Sequence, residues 1–116
     1  MKKKIRSYYD TMMNDCYNAV YEAKERLFAK AQEVITKKNV IDLYPEGADK
    51  KAAIKALDDA KYSLLCAIGN YDGRLNEARQ YYINNHDNFQ EHWATPDRFA
   101  KSHDLIENAY RDYFRR

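Results

Sequence analysis

Apolar side chains recur at steps of three and four residues through the first third of the chain. The row runs through Ile5, Tyr9, Met12, Cys16, Val20, Ala23, Leu27, Ala31 and Val34. A period near 3.6 places these residues on one face and predicts an amphipathic helix over about residues 5–38. A second row, Met13, Tyr17, Tyr21 and Phe28, lies beside it. We therefore expect this helix to pack against more than one neighbour.

The pattern then breaks and starts again. Residues 39–48 contain Pro45 and Gly47, which favour a turn, and Asp49 is the expected N-cap of the next helix. Apolar positions follow at alternating steps of three and four, with one lysine among them: Ile54, Leu57, Lys61, Leu64, Ile68, Tyr71, Leu75, Ala78 and Tyr82. This row predicts a second helix over about 49–85, which returns antiparallel to the first.

Two glycines fall inside the second row, at Gly69 and Gly73. Each costs a helix about 1 kcal/mol relative to alanine. We expect them either to kink the helix or to interrupt it near Asn70.

A third helix is indicated after a polar connection at 84–94. Thr95, Pro96 and Asp97 form a strong helix start, with threonine as the cap and proline in the first position. The predicted helix covers about 96–115. The expected fold is all-α, a long antiparallel helical hairpin plus a shorter C-terminal helix in a three-helix bundle-like arrangement, and residues 1–116 form one domain.

Composition and charge narrow the classes of function. The chain is 45% hydrophobic and 33% charged, with a net charge of +2, so any anionic partner must bind to a local patch. No apolar run is long enough to span a bilayer, and no apolar stretch follows Lys2–Lys4 as in a secretory signal. We expect a cytoplasmic protein with no membrane partner. Cys16 and Cys66 are expected as buried free thiols, with a disulfide across the hairpin as the alternative.

The third helix is too short to cover the whole hairpin. Two helices of this length span about 50 Å each, and apolar surface left uncovered needs another protein surface. We therefore expect a homo-oligomer or a tight complex with a partner.

The side chains that carry chemistry are not grouped as catalysis requires. His86, His92 and His103 match no zinc spacing, and neither cysteine lies beside a base. Neighbouring Asp58 and Asp59 are expected on a solvated helix face. We predict no metal, no cofactor and no enzymatic activity.

Basic and tyrosine-rich segments are the candidate binding residues. One group comprises Arg6, Tyr8 and Tyr9, and another comprises Lys50, Lys51 and Lys55 near the turn. Such lysines either form a solvated surface or bind phosphate. Lys61 either extends past the apolar row or lies in a pocket between subunits, where it could meet an anionic ligand. The chain has 11 tyrosines, a residue enriched in interfaces and base-stacking sites.

The segment 48–69, together with the turn before it, resembles the small phage proteins that sequester immune nucleotides, the anti-CBASS and anti-Thoeris sponges. The matching positions are Pro45, Gly47, Asp49, Ala53, Ile54, Leu57, Ala60, Ala67 and Ile68. Asp58 and Leu65 depart from that pattern, and no binding residue can be transferred. The resemblance implies an oligomer in the host cytoplasm that holds a cyclic or ADP-ribose-type nucleotide without cleaving it.

Two other classes of function stay open. A small helical protein with exposed tyrosines could inhibit a host nuclease or defence complex, as anti-CRISPR proteins do. A structural or DNA-binding helical protein is the third class, although the near-neutral charge makes DNA an unfavoured partner.

Overall fold

The computed structural model describes residues 6–101. In this range the chain forms α1 (Tyr8–Val40), α2 (Ala48–Asn85) and α3 (Pro96–Lys101), with single 3₁₀ turns at Ile41–Leu43 and His86–Asn88. α1 and α2 lie antiparallel, and α3 packs on both of them. The predicted all-α fold, a helical hairpin with a shorter third helix, is confirmed. Most of the predicted third helix, from residue 102 onward, lies outside the described range.

The helix starts follow local hydrogen bonding. Ser7 caps α1 by accepting a 3.1 Å hydrogen bond from the Asp10 amide. Thr95 caps α3 through its hydroxyl, which accepts from the Arg98 amide at 3.3 Å. The expectation for Asp49 is wrong, because α2 starts one residue earlier and its N-cap is Gly47. Gly47 has φ 142°, a backbone conformation that L side chains rarely adopt.

The core consists of two clusters that meet at Tyr71. The cluster nearer the α1–α2 turn, here called the turn half, is built from short aliphatic side chains: Leu27, Ala31, Val34, Leu57, Ala60, Leu64 and Ala67. The other cluster, here called the aromatic half, contains Met13, Tyr17, Val20, Leu75, Ala78 and Ala100, and Tyr81, Tyr82, Phe89, Trp93 and Phe99 pack against it. Tyr71 packs against both clusters.

The buried face of α1 differs from the predicted row at its start. Met13 and Tyr17 are buried, whereas Tyr9 is exposed and Cys16 is only half-buried. The second predicted row therefore forms the core here, because the connection after α2 and α3 pack on that side. The expectation of more than one neighbour for α1 is confirmed.

The face of α2 also departs from the predicted row near Lys61. The core passes through Leu57, Ala60 and Leu64, so Lys61 is exposed and Ile54 is 43% exposed. Ala60 takes the core position that the predicted row gave to the lysine. That Lys61 extends past the row, or meets an anionic ligand in a pocket between subunits, stays a prediction.

Two further local expectations concern the glycines and the cysteines. α2 is continuous through Gly69 and Gly73, so the predicted interruption near Asn70 does not occur. Both cysteines are free thiols, and Cys66 is exposed rather than buried.

Candidate functional site

Two polar networks tie the connection after α2 and the start of α3 to α1. The carboxylate of Asp10 is fully buried and accepts hydrogen bonds from the Gln90 amide at 3.0 Å, the Glu91 amide at 3.1 Å and the Trp93 indole at 2.7 Å. The Ser7 hydroxyl also donates to it. Burial alone would raise the pKa of Asp10, but these hydrogen bonds outweigh it and hold the pKa well below its usual range.

The second network surrounds Lys24 and Tyr17. Lys24 is 1% exposed; its ammonium donates to the Ala100 carbonyl and lies 6.0 Å from the centre of the Tyr71 ring. The Tyr17 hydroxyl donates to the Ala94 carbonyl, and the ring stacks on Phe99 at 4.5 Å between centroids. Burial is the main reason that the pKa of Tyr17 is raised above its usual range. These contacts stabilise the fold and leave Asp10 and Lys24 no exposed surface for a ligand.

The predicted binding residues lie at opposite ends of the hairpin. Arg6 pairs with Glu91 at 2.7 Å and lies over the Trp93 ring at 5.6 Å. Next to it, Tyr8 is 70% exposed and meets the Tyr9 ring edge-on. α1 has 33 residues, so about 50 Å of helix separates these residues from the turn end.

The lysines of the turn end are spread over the exposed surface. Lys50 pairs with Glu46 at 3.0 Å, while Lys51 and Lys55 are exposed. Lys61 lies further along α2. The structure therefore does not bring the seven predicted residues into one site.

A groove between the middle of α1 and the middle of α2 gathers a different set of residues. It has two lobes, which share Arg26 and Asn70. The first lobe, of about 440 Å³, is also lined by Lys30, Tyr62, Ser63, Cys66 and Ala67. The second, of about 330 Å³, is also lined by Ala19, Glu22, Ala23 and Arg74. The buried Ala23 and Ala67 leave space because their side chains are short.

The cations of the groove differ in their partners. At its two ends, Lys30 lies 3.7 Å from Glu33 and Arg74 lies 3.2 Å from Glu77. Between them, Arg26 makes no ion pair or hydrogen bond with any residue in the range 6–101, although the sequence spacing favours a pair with Glu22. A guanidinium with five unused donors at the centre of a cleft can bind phosphate or carboxylate in a bidentate manner.

The sequence contains a signal for this groove that the apolar rows do not show. On α1 the lining residues fall at 19, 22, 23, 26 and 30, and on α2 at 62, 63, 66, 67, 70 and 74. Both sets follow the same helical spacing, one face of small and polar residues beside each buried row. Small residues on two facing helices, with basic residues one turn further on, therefore indicate a polar cleft.

Neither a metal site nor a membrane-spanning helix is found within residues 6–101. No three His, Cys, Asp or Glu side chains come together there. No helix in that range is both long enough and apolar enough to cross a bilayer.

Comparison with known proteins gives no family assignment. No protein-family model, no curated protein and no solved structure matches this chain.

Proposed function

We propose that the protein is a non-enzymatic binding protein that sequesters a phosphate-containing nucleotide signal in the groove between α1 and α2. The observation that carries this proposal is Arg26, a cation without an ionic partner among the described residues, placed between two lobes of a cleft. The Lys30 and Arg74 side chains add positive charge on either side of it. Lys30 and Arg74 are paired with Glu33 and Glu77, so the cation that is left to attract an anionic ligand is Arg26.

The first lobe also offers a surface for a base. Tyr62, which lines this lobe, is 70% exposed, and the Ser63 hydroxyl and Asn70 amide can donate and accept hydrogen bonds. Stacking of a base on an aromatic ring contributes about 1–3 kcal/mol. In this proposal the ligand is held by contacts alone and is not cleaved.

The biological setting proposed is defence evasion in the cytoplasm of a phage-infected host. Its support is the resemblance of the hairpin segment to phage nucleotide sponges. A cyclic or ADP-ribose-type nucleotide immune signal is the corresponding ligand.

Self-association is part of the same proposal. Large apolar side chains stay exposed on α2, including Tyr62 at 70%, Leu65 at 59% and Ile83 at 68%. A second copy of the chain could cover such surface. Light scattering with and without nucleotide would measure the mass directly, and a monomer in both conditions would contradict this part.

The test of nucleotide binding uses the two thiols as probes. Cys66 is exposed in the groove, whereas Cys16 is half-buried outside it, and burial raises the pKa of the Cys16 thiol. A bound nucleotide should slow iodoacetamide labelling of Cys66 and leave Cys16 unchanged. Labelling would be followed by mass spectrometry against a panel of ADP, ADP-ribose and cyclic dinucleotides.

Two substitutions make the assay specific for the groove. Arg26→Ala should abolish the protection of Cys66, whereas Lys51→Ala, which removes another exposed cation at the turn end, should retain it. No protection by any nucleotide, together with no thermal shift, would remove the proposal.

A protein-binding inhibitor is the second candidate. It is favoured by the exposed apolar residues at the hairpin turn, where Leu43 is 78% exposed and Tyr44 is 42% exposed. It predicts a stable complex with a host nuclease or defence protein that Leu43→Ser weakens and Arg26→Ala does not.

A further inference from the structure

The turn between α1 and α2 exposes a small apolar surface, here called the tip. It comprises Val40, Leu43, Tyr44 and Ile54, which are between 39% and 78% exposed. Leu43 is the most exposed large apolar side chain among the described residues. The Tyr44 amide donates a 3.3 Å hydrogen bond to the Ile41 carbonyl and so closes the 3₁₀ turn that carries Leu43. The tip is therefore an ordered apolar feature at one end of the hairpin.

Lysines flank the tip in the last turn of α1 and the first two turns of α2. There are five of them: Lys37, Lys38, Lys50, Lys51 and Lys55. Among the residues that the structure describes, only Lys50 of these five has an ion-pair partner, Glu46. The same segment, 37–55, contains two further acids, Asp42 and Asp49. Lysines outnumber acids there, so the tip combines exposed apolar side chains with a net positive charge.

The kind of cation at the tip favours a lipid surface over a protein surface. Lysine is depleted in protein–protein interfaces, where arginine is the enriched cation, and the segment 37–55 contains no arginine. An anionic bilayer attracts lysine side chains through their charge and requires no fixed pairing geometry. Apolar side chains can enter the boundary between headgroups and acyl chains, where tyrosine rings are also favoured.

We propose that the tip binds the surface of a bilayer that contains anionic lipids, with Leu43 inserted at the headgroup boundary and the lysines held against the headgroups. The expectation of no membrane partner rested on the lack of a spanning run, which a surface contact does not require. About 20 Å of α1 separates Arg26 from Val40, so the groove stays accessible in the bound protein.

The contact depends on two signals together. A small apolar insertion or a short group of lysines alone gives only marginal, reversible attachment to a bilayer. On the tip both are present within one turn and the helix ends that flank it. Removal of either signal should therefore weaken binding measurably.

Co-sedimentation of the full chain with lipid vesicles tests the proposal. Vesicles of phosphatidylcholine alone are compared with vesicles in which about one-third of the lipid is phosphatidylserine. The protein should bind the mixed vesicles about tenfold more tightly, because their surface attracts the lysines. Raising the salt concentration should reduce this preference, because it screens exposed charges.

Four variants locate the contact. Leu43→Ser should weaken binding to the mixed vesicles about tenfold, since a buried leucine is lost, whereas Leu65→Ser, at an exposed leucine in the middle of α2, should leave binding unchanged. The double variant Lys51→Ala and Lys55→Ala should remove most of the preference for phosphatidylserine. Lys101→Ala, at an exposed lysine of α3, is its control and should preserve the preference.

Each of the other outcomes would overturn the proposal. Equal binding to the two kinds of vesicle would contradict the role of the lysines. Equal weakening by Leu43→Ser and Leu65→Ser would contradict the position of the contact at the tip. No binding to either kind of vesicle would leave the tip to a protein partner, and none of these results would bear on nucleotide binding in the groove.

Discussion

The turn half and the aromatic half are built from the same two helices but held together by different means. In the turn half, alanine, leucine and valine of α1 and α2 interlock, and within residues 6–101 no charged side chain is buried among them. In the aromatic half, α3 and the connection before it form a further layer, and Asp10 and Lys24 are buried where the layers meet. The turn half thus depends on apolar packing alone, whereas the aromatic half also depends on a few directional bonds.

The comparison also explains where the groove lies. Its second lobe follows α1 from Ala19 to Arg26, and its first lobe continues from Arg26 to Lys30. The groove therefore spans the boundary between the two halves. A change in either half that separates α1 from α2 should weaken binding there.

The largest expected effect comes from Asp10→Asn, which breaks the attachment of the connection in the aromatic half. The side-chain NH₂ group of asparagine would face the N–H donors of Gln90, Glu91 and Trp93 and could not accept their hydrogen bonds. We expect the melting temperature to fall more than with any other change below. Asp15→Asn, an exposed acid on the same helix, is the control and should leave it nearly unchanged.

The same carboxylate predicts a dependence of stability on pH. Because the pKa of Asp10 is lowered by folding, the folded protein binds fewer protons than the unfolded chain. Its contribution is complete above the unfolded pKa, about 4, and is lost as the pH falls toward the folded pKa. Denaturant titrations should show that the free energy of unfolding falls less between pH 6 and pH 3 for Asp10→Asn than for the native chain. Equal losses would contradict the role assigned to this residue.

The next largest effect is expected in the turn half. Leu64 is 1% exposed, and Leu64→Ala should cost about 2–5 kcal/mol through lost burial and a residual cavity. Hydrogen exchange should show that amides of 27–34 and 57–67 open first, while those of the aromatic half stay protected. Simultaneous opening of both halves would show that they are one cooperative unit.

Two tyrosine-to-phenylalanine substitutions in the aromatic half should change stability in opposite directions. Tyr17→Phe removes a hydrogen bond to the Ala94 carbonyl and should cost about 1 kcal/mol. The Tyr81 hydroxyl is buried and has no hydrogen-bond partner among residues 6–101, so Tyr81→Phe should raise stability by about 1 kcal/mol. Chemical denaturation of both variants measures the difference, and a loss with Tyr81→Phe would show that this hydroxyl has a partner.

The smallest effect is expected at the glycines between the halves. A Cβ at Gly69 or Gly73 would meet nothing within 4 Å, so Gly69→Ala and Gly73→Ala should each stabilise the protein by about 0.5–1 kcal/mol. Urea denaturation checks this. A loss of stability at concentrations where the protein self-associates, absent on dilution, would place these glycines in an interface between copies.

The sequence predicted the turn half better than the aromatic half for a physical reason. Leu57 and Leu64 follow a repeat that any single helix displays, so their burial can be inferred locally. From the sequence, only the role of Asp10 beside Ser7 in the first turn can be inferred, because its other partners lie about 80 positions away. Lys24 was not predicted as buried, since its partner Ala100 comes from α3.

The candidate site was missed for a related reason. Lys50 and Lys51 were chosen because they are adjacent in sequence, but Lys50 is half-buried in an ion pair with Glu46 and Lys51 is exposed. Arg26 and Arg74 lie 48 positions apart and meet only because the helices are antiparallel. The sequence signal for the groove is that Arg26 and Arg74 each follow small residues at helical spacing on the same face of their helix.

The central claim, that Arg26 is the centre of an anion-binding groove, is tested most directly by nuclear magnetic resonance. Amide spectra of the ¹⁵N-labelled protein would be recorded during titration with ADP. We predict that the largest shifts fall on residues of both helices that line the groove: Ala23, Arg26, Ser63, Cys66 and Asn70. Shifts confined to Arg6–Tyr9 or to Lys50–Lys55, or no shifts at all, would contradict the claim.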